Sequence, residues 1–362
     1  MSQVKPDYLK RRNGLRDIFK DSGDASVFMD QISVRYLTGF SGSNAALFVG
    51  QNPEQDLLMT DHRYTERANT ESPDIKILIE GAFFKELYKL FEEHKIKKIA
   101  IDSTRLNISQ GEALANKGAI ELVGTVELLA PLRSFKDEYE IAQLRKACAI
   151  TSETLWFLIN DLRPGMTERQ ISNLFQEGIL KRGADGLAFE TIVASGVNSA
   201  TPHHEPTNRP LEIGDMVTID CGAKVNGYHA DMTRTVFLGS CSDWQKEIYD
   251  LVMNSQELGV KKLGFGVSGE EVDEVCRKYI EEGKHGEYFV HGTGHGVGLE
   301  IHEPTYVSKG VKTKLAKGSC VTVEPGIYVP AKGGVRIEDT CLVTETGAEI
   351  LTTGSHEIIV VG

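Results

Sequence analysis

No stretch of this 362-residue sequence approaches the roughly 18 consecutive apolar residues needed to cross a bilayer, so no membrane span is expected. Cysteine is scarce and scattered: Cys148, Cys221, Cys241, Cys276, Cys320 and Cys341 form no Cys-x-x-Cys pair and have mostly apolar neighbours. That argues against a disulfide scaffold and for reduced core thiols. A basic excess is missing too. The formal charge of −12 repels phosphate backbones, and no basic stripe with interleaved aromatics offsets it, so nucleic acid is not an expected partner. The opening residues, Met-Ser-Gln-Val-Lys-Pro-Asp-Tyr, enter a charged segment without an apolar stretch or a small-residue cleavage site. The expectation is a cytoplasmic protein. Low-complexity tracts and short repeats are absent, which excludes a solenoid.

What is present, 40% hydrophobic and 25% charged residues, is ordinary for a globular chain too long for one core. Two domains are expected. Residues 1–128 read as a small α/β domain: a helix over 7–20, apolar runs at 25–29, 45–49, 57–60, 75–79 and 98–101 with the look of buried strands, and helical spacing over 83–91. Residues 129–136, with Pro131, read as a linker, and 137–362 as the larger domain. Its first helix carries Ile141, Leu144, Cys148, Leu155, Leu158 and Leu162 at three- to four-residue spacing until Pro164-Gly165 stops it. Thr167-Glu-Arg-Gln resembles a capping box opening the next helix, and two more helices are expected over 245–263 and 269–282.

The chemistry lies in the strand-rich segments between and after those helices. Met216-Val-Thr-Ile-Asp-Cys-Gly-Ala and His229-Ala-Asp-Met-Thr-Arg-Thr-Val-Phe flank an Asn226-Gly227 turn, a hairpin cue that brings Asp220 and Asp231 near one another. Aspartate is depleted in strands, and two like charges placed there destabilise the fold unless a cation sits between them. For either aspartate alone, a solvated strand end is the simpler explanation. His291-Gly-Thr-Gly-His-Gly-Val-Gly-Leu-Glu-Ile-His302 sets three of the chain's ten histidines along a glycine-rich backbone. Its glycines imitate a dinucleotide loop, but the strand-then-helix context is missing. Glu324, in Cys320-Val-Thr-Val-Glu-Pro-Gly-Ile-Tyr, and Glu338, in Gly334-Val-Arg-Ile-Glu-Asp-Thr-Cys-Leu-Val, each stand in or beside an apolar strand. A buried carboxylate there must be protonated, paired (Arg336 is the nearest candidate) or bound to metal. Four such carboxylates with a histidine suit two divalent cations, whose charge they balance.

With these residues in view, the sequence resembles the metallopeptidase family of Xaa-Pro aminopeptidase, prolidase and methionine aminopeptidase, known as the pita-bread fold. Arg35-Tyr-Leu-Thr-Gly-Phe-Ser-Gly-Ser and Thr60-Asp-His-Arg-Tyr resemble the N-terminal domain shared by creatinase, prolidase and aminopeptidase P, and Phe135-Lys-Asp-Glu-Tyr-Glu-Ile resembles the entry to their catalytic domain. The resemblance implies an α+β chain: a pita-bread catalytic domain with a smaller creatinase-like N-terminal domain. It implies five metal ligands, Asp220, Asp231, His295, Glu324 and Glu338, holding two divalent ions. Manganese is the first choice by ligand hardness, with cobalt or zinc as alternatives. It also implies substrate-side roles for His203, in Ser195-Gly-Val-Asn-Ser-Ala-Thr-Pro-His, and for His291 and His302, with Arg336 beside the last ligand and Glu324 as proton shuttle. His204 stands where the family more often has a small residue.

The implied activity is removal of the residue preceding proline at a peptide's N-terminus, by a homodimer. Competing readings are prolidase, which cleaves only Xaa-Pro dipeptides; a non-catalytic peptide- or protein-binding module; and metal-free small-amide hydrolysis. The complete ligand set speaks against the last two, and the added N-terminal domain against methionine aminopeptidase. A strict dipeptidase must clamp the free carboxylate after proline, ordinarily with arginine. The prolidases resembled carry an arginine shortly after the His-Glu pair, whereas this chain reads His302-Glu-Pro-Thr-Tyr-Val. With Tyr306 near that place, aminopeptidase P is the expected branch, unless Arg209 or a partner subunit supplies the clamp.

Overall fold

A computed structural model describes residues 5–362. Met1–Val4, which contributed to the reading of the N-terminus, lie outside them. The chain divides into two compact units between Arg133 and Ser134. Within the expected linker, Ala130–Arg133 forms one helical turn.

In the first unit, the apolar runs pair into one six-stranded sheet with the order Lys76–Ile79, Leu57–Thr60, Ala45–Gly50, Ala25–Phe28, Lys98–Asp102, Glu121–Thr125. Ala45–Gly50 pairs antiparallel with both neighbours, and the outer strands join in parallel. The helix Phe83–Glu93 lays Phe83, Leu87 and Phe91 on the core of Val27, Phe48, Met59 and Ile99. The sixth strand, Glu121–Thr125, has no counterpart in the sequence reading, because its residues are half-buried or exposed and include Gly124. The helix Tyr8–Phe19 buries Arg11, Arg12 and Arg16. Asp56 compensates two of them, at 2.9 Å from Arg12 Nε and in contact with Arg16.

In the second unit the order helix, helix, sheet occurs twice, the sheets being antiparallel except where Val360–Val361 joins Met232–Leu238 in parallel. Glu138–Asn160 and Glu168–Lys181 precede a four-stranded sheet of Ile192–Ser195, Met216–Cys221, Met232–Leu238 and Val360–Val361. Asp243–Lys262 and Gly269–Glu282 precede a five-stranded sheet ordered Glu303–Val307, Gly294–Gly296, Cys320–Val323, Asp339–Val343, Ala348–Ile350. All four helices open with a capping box: Asp137 with Glu140, Thr167 with Gln170, Ser242 with Gln245, and Ser268 with Glu271. The Asn226-Gly227 turn has positive φ at both residues, 47° and 78°, as a tight hairpin turn requires. It closes a smaller hairpin than expected, Ala223–Val225 with Tyr228–His229, which pairs with Gly186–Leu187 in a separate sheet. The aspartate-bearing strands meet below it, with Cys221 opposite Met232 and Asp220 opposite Thr233.

The two larger sheets are stitched along the inner strand Met232–Leu238, every residue of which is buried. The Glu338 N–H donates to the Thr233 carbonyl at 3.1 Å. Thr340 Oγ1 donates to the Asp231 carbonyl at 2.8 Å, and Arg234 reaches across to the Glu338 carbonyl and to Asp339. This seam places Asp231 and Glu338 side by side.

Candidate metal centre

Strand register explains how residues more than a hundred positions apart converge. Val323 pairs with Asp339, so Glu324 and Glu338 each stand one residue beyond the last pair, on adjacent strands. Gly294–Gly296 pairs with the same strand through Gly296 and Val321, which places His295 alongside. A side chain at Gly294 has no room, since a Cβ there falls 2.0 Å from the Thr322 carbonyl oxygen. From the other sheet come Asp220, within Met216–Cys221, and Asp231, one residue before Met232–Leu238. All five line one cleft of about 530 Å³ with His203, His291, His302 and Arg336.

Ligand atoms of Asp231, His295 and Glu338 lie within 4.8 Å of one another. His295 Nε2 stands 3.5 Å from Asp231 Oδ2 and 3.4 Å from Glu324 Oε1. Its Nδ1 faces the Gly296 carbonyl at 3.0 Å. A carbonyl only accepts, so Nδ1 holds the proton and Nε2 presents a lone pair to the carboxylates. Burial holds this imidazole below its ordinary pKa, keeping it neutral. Asp220 leans away from the trio toward Arg336, at 2.7 Å. The sequence offers Arg336 as a possible partner of a buried glutamate; in the structure its carboxylate partner is Asp220.

The electrostatics of this cluster are unfavourable as they stand. Burial first, then Glu338 and Asp220, push the Asp231 carboxyl well above the ordinary range. Burial, Glu324 and Asp220 do the same to Glu338, and burial raises Glu324. Two like charges 4 Å apart repel by roughly 4 kcal/mol at an effective dielectric of 20, and a dication between them reverses the sign. Two buried oxygens, Asp220 Oδ1 and Glu338 Oε1, have no hydrogen-bond donor among the described residues. Orphaned acceptors are costly when buried, and here both belong to carboxylates of the cluster. Four hard oxygen donors and one neutral imidazole are what divalent cations of the manganese, cobalt or zinc kind bind. The residues present fit such ions.

A directed chain of hydrogen bonds supports the cleft wall. Arg336 donates through Nη2 to Asp220, through Nε to Thr233 Oγ1 at 3.1 Å and through Nη1 to Tyr328 Oη at 2.8 Å. Tyr328 Oη lies 2.9 Å from His291 Nε2, and His291 Nδ1 lies 2.7 Å from the Gly292 carbonyl. The tyrosine hydroxyl therefore donates to the imidazole, which burial keeps neutral. Thr233 Oγ1 passes its own proton to Glu338 Oε2 at 2.7 Å. His291 thus has both nitrogens engaged by protein, while His203 and His302 make no hydrogen bond among the described residues and face the cleft. His302 also packs edge-on against His295, with ring centroids 4.3 Å apart. Tyr328 and Thr233 have no counterpart in the sequence reading, although both sit inside the quoted motifs.

Residues 142–345 match metallopeptidase family M24, and residues 11–135 match the creatinase/prolidase N-terminal domain. The Xaa-Pro dipeptidase of Pyrococcus furiosus is 35% identical over 343 residues, 94% of this chain and 96% of that one. Among solved structures, an Xaa-Pro dipeptidase from Bacillus anthracis superimposes with a TM-score of 0.94 at 36% identity, covering 98% of this chain and 100% of the other. An X-Pro aminopeptidase from Thermotoga maritima gives 0.88 at 37% identity, covering 94% and 98%. The fold, the convergence of hard ligands and these similarities agree: the chain belongs to metallopeptidase family M24, an α+β pita-bread metal-dependent hydrolase with a creatinase-like N-terminal domain.

Proposed function

We propose that this protein hydrolyses the peptide bond between an N-terminal residue and a following proline, using two divalent cations per chain, manganese first. The observation that carries the proposal is the cluster of four carboxylates and one neutral imidazole, with its orphaned oxygens, on the floor of a cleft whose walls present imidazoles. Asp220, Asp231, His295, Glu324 and Glu338 would hold the cations. Such a pair lowers the pKa of water and polarises the scissile carbonyl.

The remaining steps fall to the chain's own side chains. A bond before proline is a tertiary amide whose nitrogen leaves as a basic secondary amine and must gain a proton. Glu324, half-buried at the cleft floor 3.4 Å from His295, holds and delivers that proton. His203 and His302 orient the substrate and stabilise charge developing on its carbonyl. His291, fixed by Tyr328, and Arg336, fixed by Asp220, keep the wall rigid and exclude water behind it.

Dipeptidase action is supported by the names of two Pyrococcus relatives and of several similar solved structures. A second reading, cleavage of longer Xaa-Pro-Yaa peptides, is favoured by one feature of the cleft. Among the described residues Arg336 is the only arginine or lysine lining it, and its guanidinium is consumed by Asp220, Thr233 and Tyr328. Arg209, the other candidate clamp, is taken by Asp215 at 2.6 and 2.9 Å. No described cation of the cleft is free for a dipeptide carboxylate. The homodimer implied by the family resemblance and the cytoplasmic location expected from the sequence belong to the same proposal.

Three outcomes are expected. Asp231→Ala, Glu338→Ala and His295→Ala should lose bound metal together with turnover, whereas His203→Ala should lower kcat by about 10²-fold with metal content near that of the parent protein. Equal metal loss in all four variants would show that the roles are divided wrongly. For pH, the raised carboxyls of Asp231 and Glu338 take up protons in the metal-free fold. Their contribution to its stability is present in the ordinary carboxylate range and lost as pH rises through their higher folded values. Cations require the ionised form. The rise in Tm on adding Mn2+ should therefore grow from acid to neutral pH, and a constant increment would contradict this. Finally, kcat/KM for Xaa-Pro-Yaa should lie within about tenfold of the matching Xaa-Pro dipeptide or above it, a difference of at most about 1.4 kcal/mol. A strong dipeptide preference would reveal a clamp outside the described cleft.

A further inference from the structure

The sequence reading gave the segment Ser195–Thr207 a single functional residue, His203. The structure shows what holds it. Glu168, the first residue of the helix Glu168–Lys181, is fully buried. Its Oε1 accepts from the Ser195 N–H at 2.8 Å, Ser195 Oγ at 2.7 Å and Asn198 Nδ2 at 3.0 Å. Its Oε2 faces His204 Nε2 at 2.9 Å and accepts from the Thr207 N–H at 3.0 Å and Thr207 Oγ1 at 2.7 Å. Burial favours the protonated form, but the donors from Asn198, Thr207, His204 and Ser195 outweigh it and hold the carboxyl at about 2.

The two oxygens divide the loop between them. One binds its start and the other its return, and His203 lies in the span they close. His204, the departure from the family's usual small residue, supplies one of the six donors. Two donors are backbone N–H groups that cannot rotate away, so no neutral amide can replace the carboxylate without leaving donors unmatched. The loop is tied to the active site in its middle as well, since the Pro202 carbonyl accepts from Arg336 Nη1 at 3.4 Å. A buried ionised group costs several kcal/mol unless fully paired, and this one is paired almost wholly with the loop that carries His203.

We propose that Glu168 is a positioning residue for the peptidase reaction: its buried carboxylate clamps both ends of the loop 195–207 and thereby sets the place of His203 over the cleft. Glu168 touches neither the metal ligands nor the cleft, and acts only through that loop. The proposal rests on the reading of His203 as a substrate-facing group.

The test is a double-mutant cycle of Glu168→Gln and His203→Ala in the full-length, Mn2+-loaded protein, with kcat, KM and metal content measured for each variant. Glu168→Gln should lower kcat by about 10- to 100-fold, the range expected for a displaced catalytic contact, with metal content unchanged. In the His203→Ala background the same substitution should have almost no further effect. Thr207→Val removes one donor while keeping the backbone N–H. It should give a smaller loss that likewise vanishes beside His203→Ala, and it serves if Glu168→Gln does not fold. Multiplicative losses in the double variants, or metal loss in Glu168→Gln, would overturn the positioning role while leaving His203 in place. Full activity of His203→Ala would instead remove the substrate-facing reading, and the positioning role with it.

Discussion

The fold is organised around an electrostatic debt: four carboxylates brought together at the junction of two sheets, in surroundings that disfavour the ionised forms of Asp231, Glu324 and Glu338. Asp231 and Glu338 are 5% and 1% exposed, so water cannot screen them. At such a place repulsion between neighbours competes with the hydrogen bonds that close the seam. Arg336 satisfies Asp220 and Thr233 satisfies one oxygen of Glu338, but the second oxygen of each carboxylate is left without a donor. Divalent cations resolve repulsion and orphaned acceptors together, which is why the donor chemistry decides more here than any single distance.

The remainder of the catalytic unit keeps that cluster rigid. Arg234 and Thr340 lock Met232–Leu238 to the strand beyond Glu338. Asp339, next to the ligand Glu338, is fully buried and accepts from Arg234, Gln256 and Thr352, with His356 Nε2 2.6 Å away. The chain's last segment is thereby fastened behind the site. Beside the cleft, buried Asp273 accepts from the Thr293 N–H and from half-buried Arg277, whose guanidinium in turn reaches the Phe289 and His291 carbonyls. Each functional segment has its own charged anchor, held from behind. The imidazoles that face the cleft are left free to meet substrate.

Much of this was legible in the sequence because ligands in strands break local rules. Asp220, Asp231, Glu324 and Glu338 each stand where an apolar or β-branched residue is expected, and that violation is a signal in itself. The capping box at Thr167 marked the start of its helix, and Asn226-Gly227 announced its turn. What stayed hidden was nonlocal. Nothing in Asn226-Gly227 says that its hairpin belongs to a third sheet, and nothing near Arg336 says that Asp220, 116 residues away, is its partner. Glu168 was missed for a different reason. An acidic residue in a helix's first turn already has a local explanation in the helix dipole, and only the tertiary fold shows six donors converging on it. Tyr328 likewise reads as an ordinary strand aromatic until His291 and Arg336 are brought to its hydroxyl, where burial also pushes its pKa up to about 12.

The most direct test of the central claim, that the buried carboxylates exist to hold two cations for hydrolysis, is a titration of the metal-free full-length protein. Mn2+ would be added stepwise, with bound metal and Xaa-Pro-Yaa hydrolysis followed in parallel. The account predicts no turnover without metal and activity that rises to a plateau as two ions bind per chain. Undiminished hydrolysis by the metal-free protein, or a plateau reached with no metal bound, would contradict it.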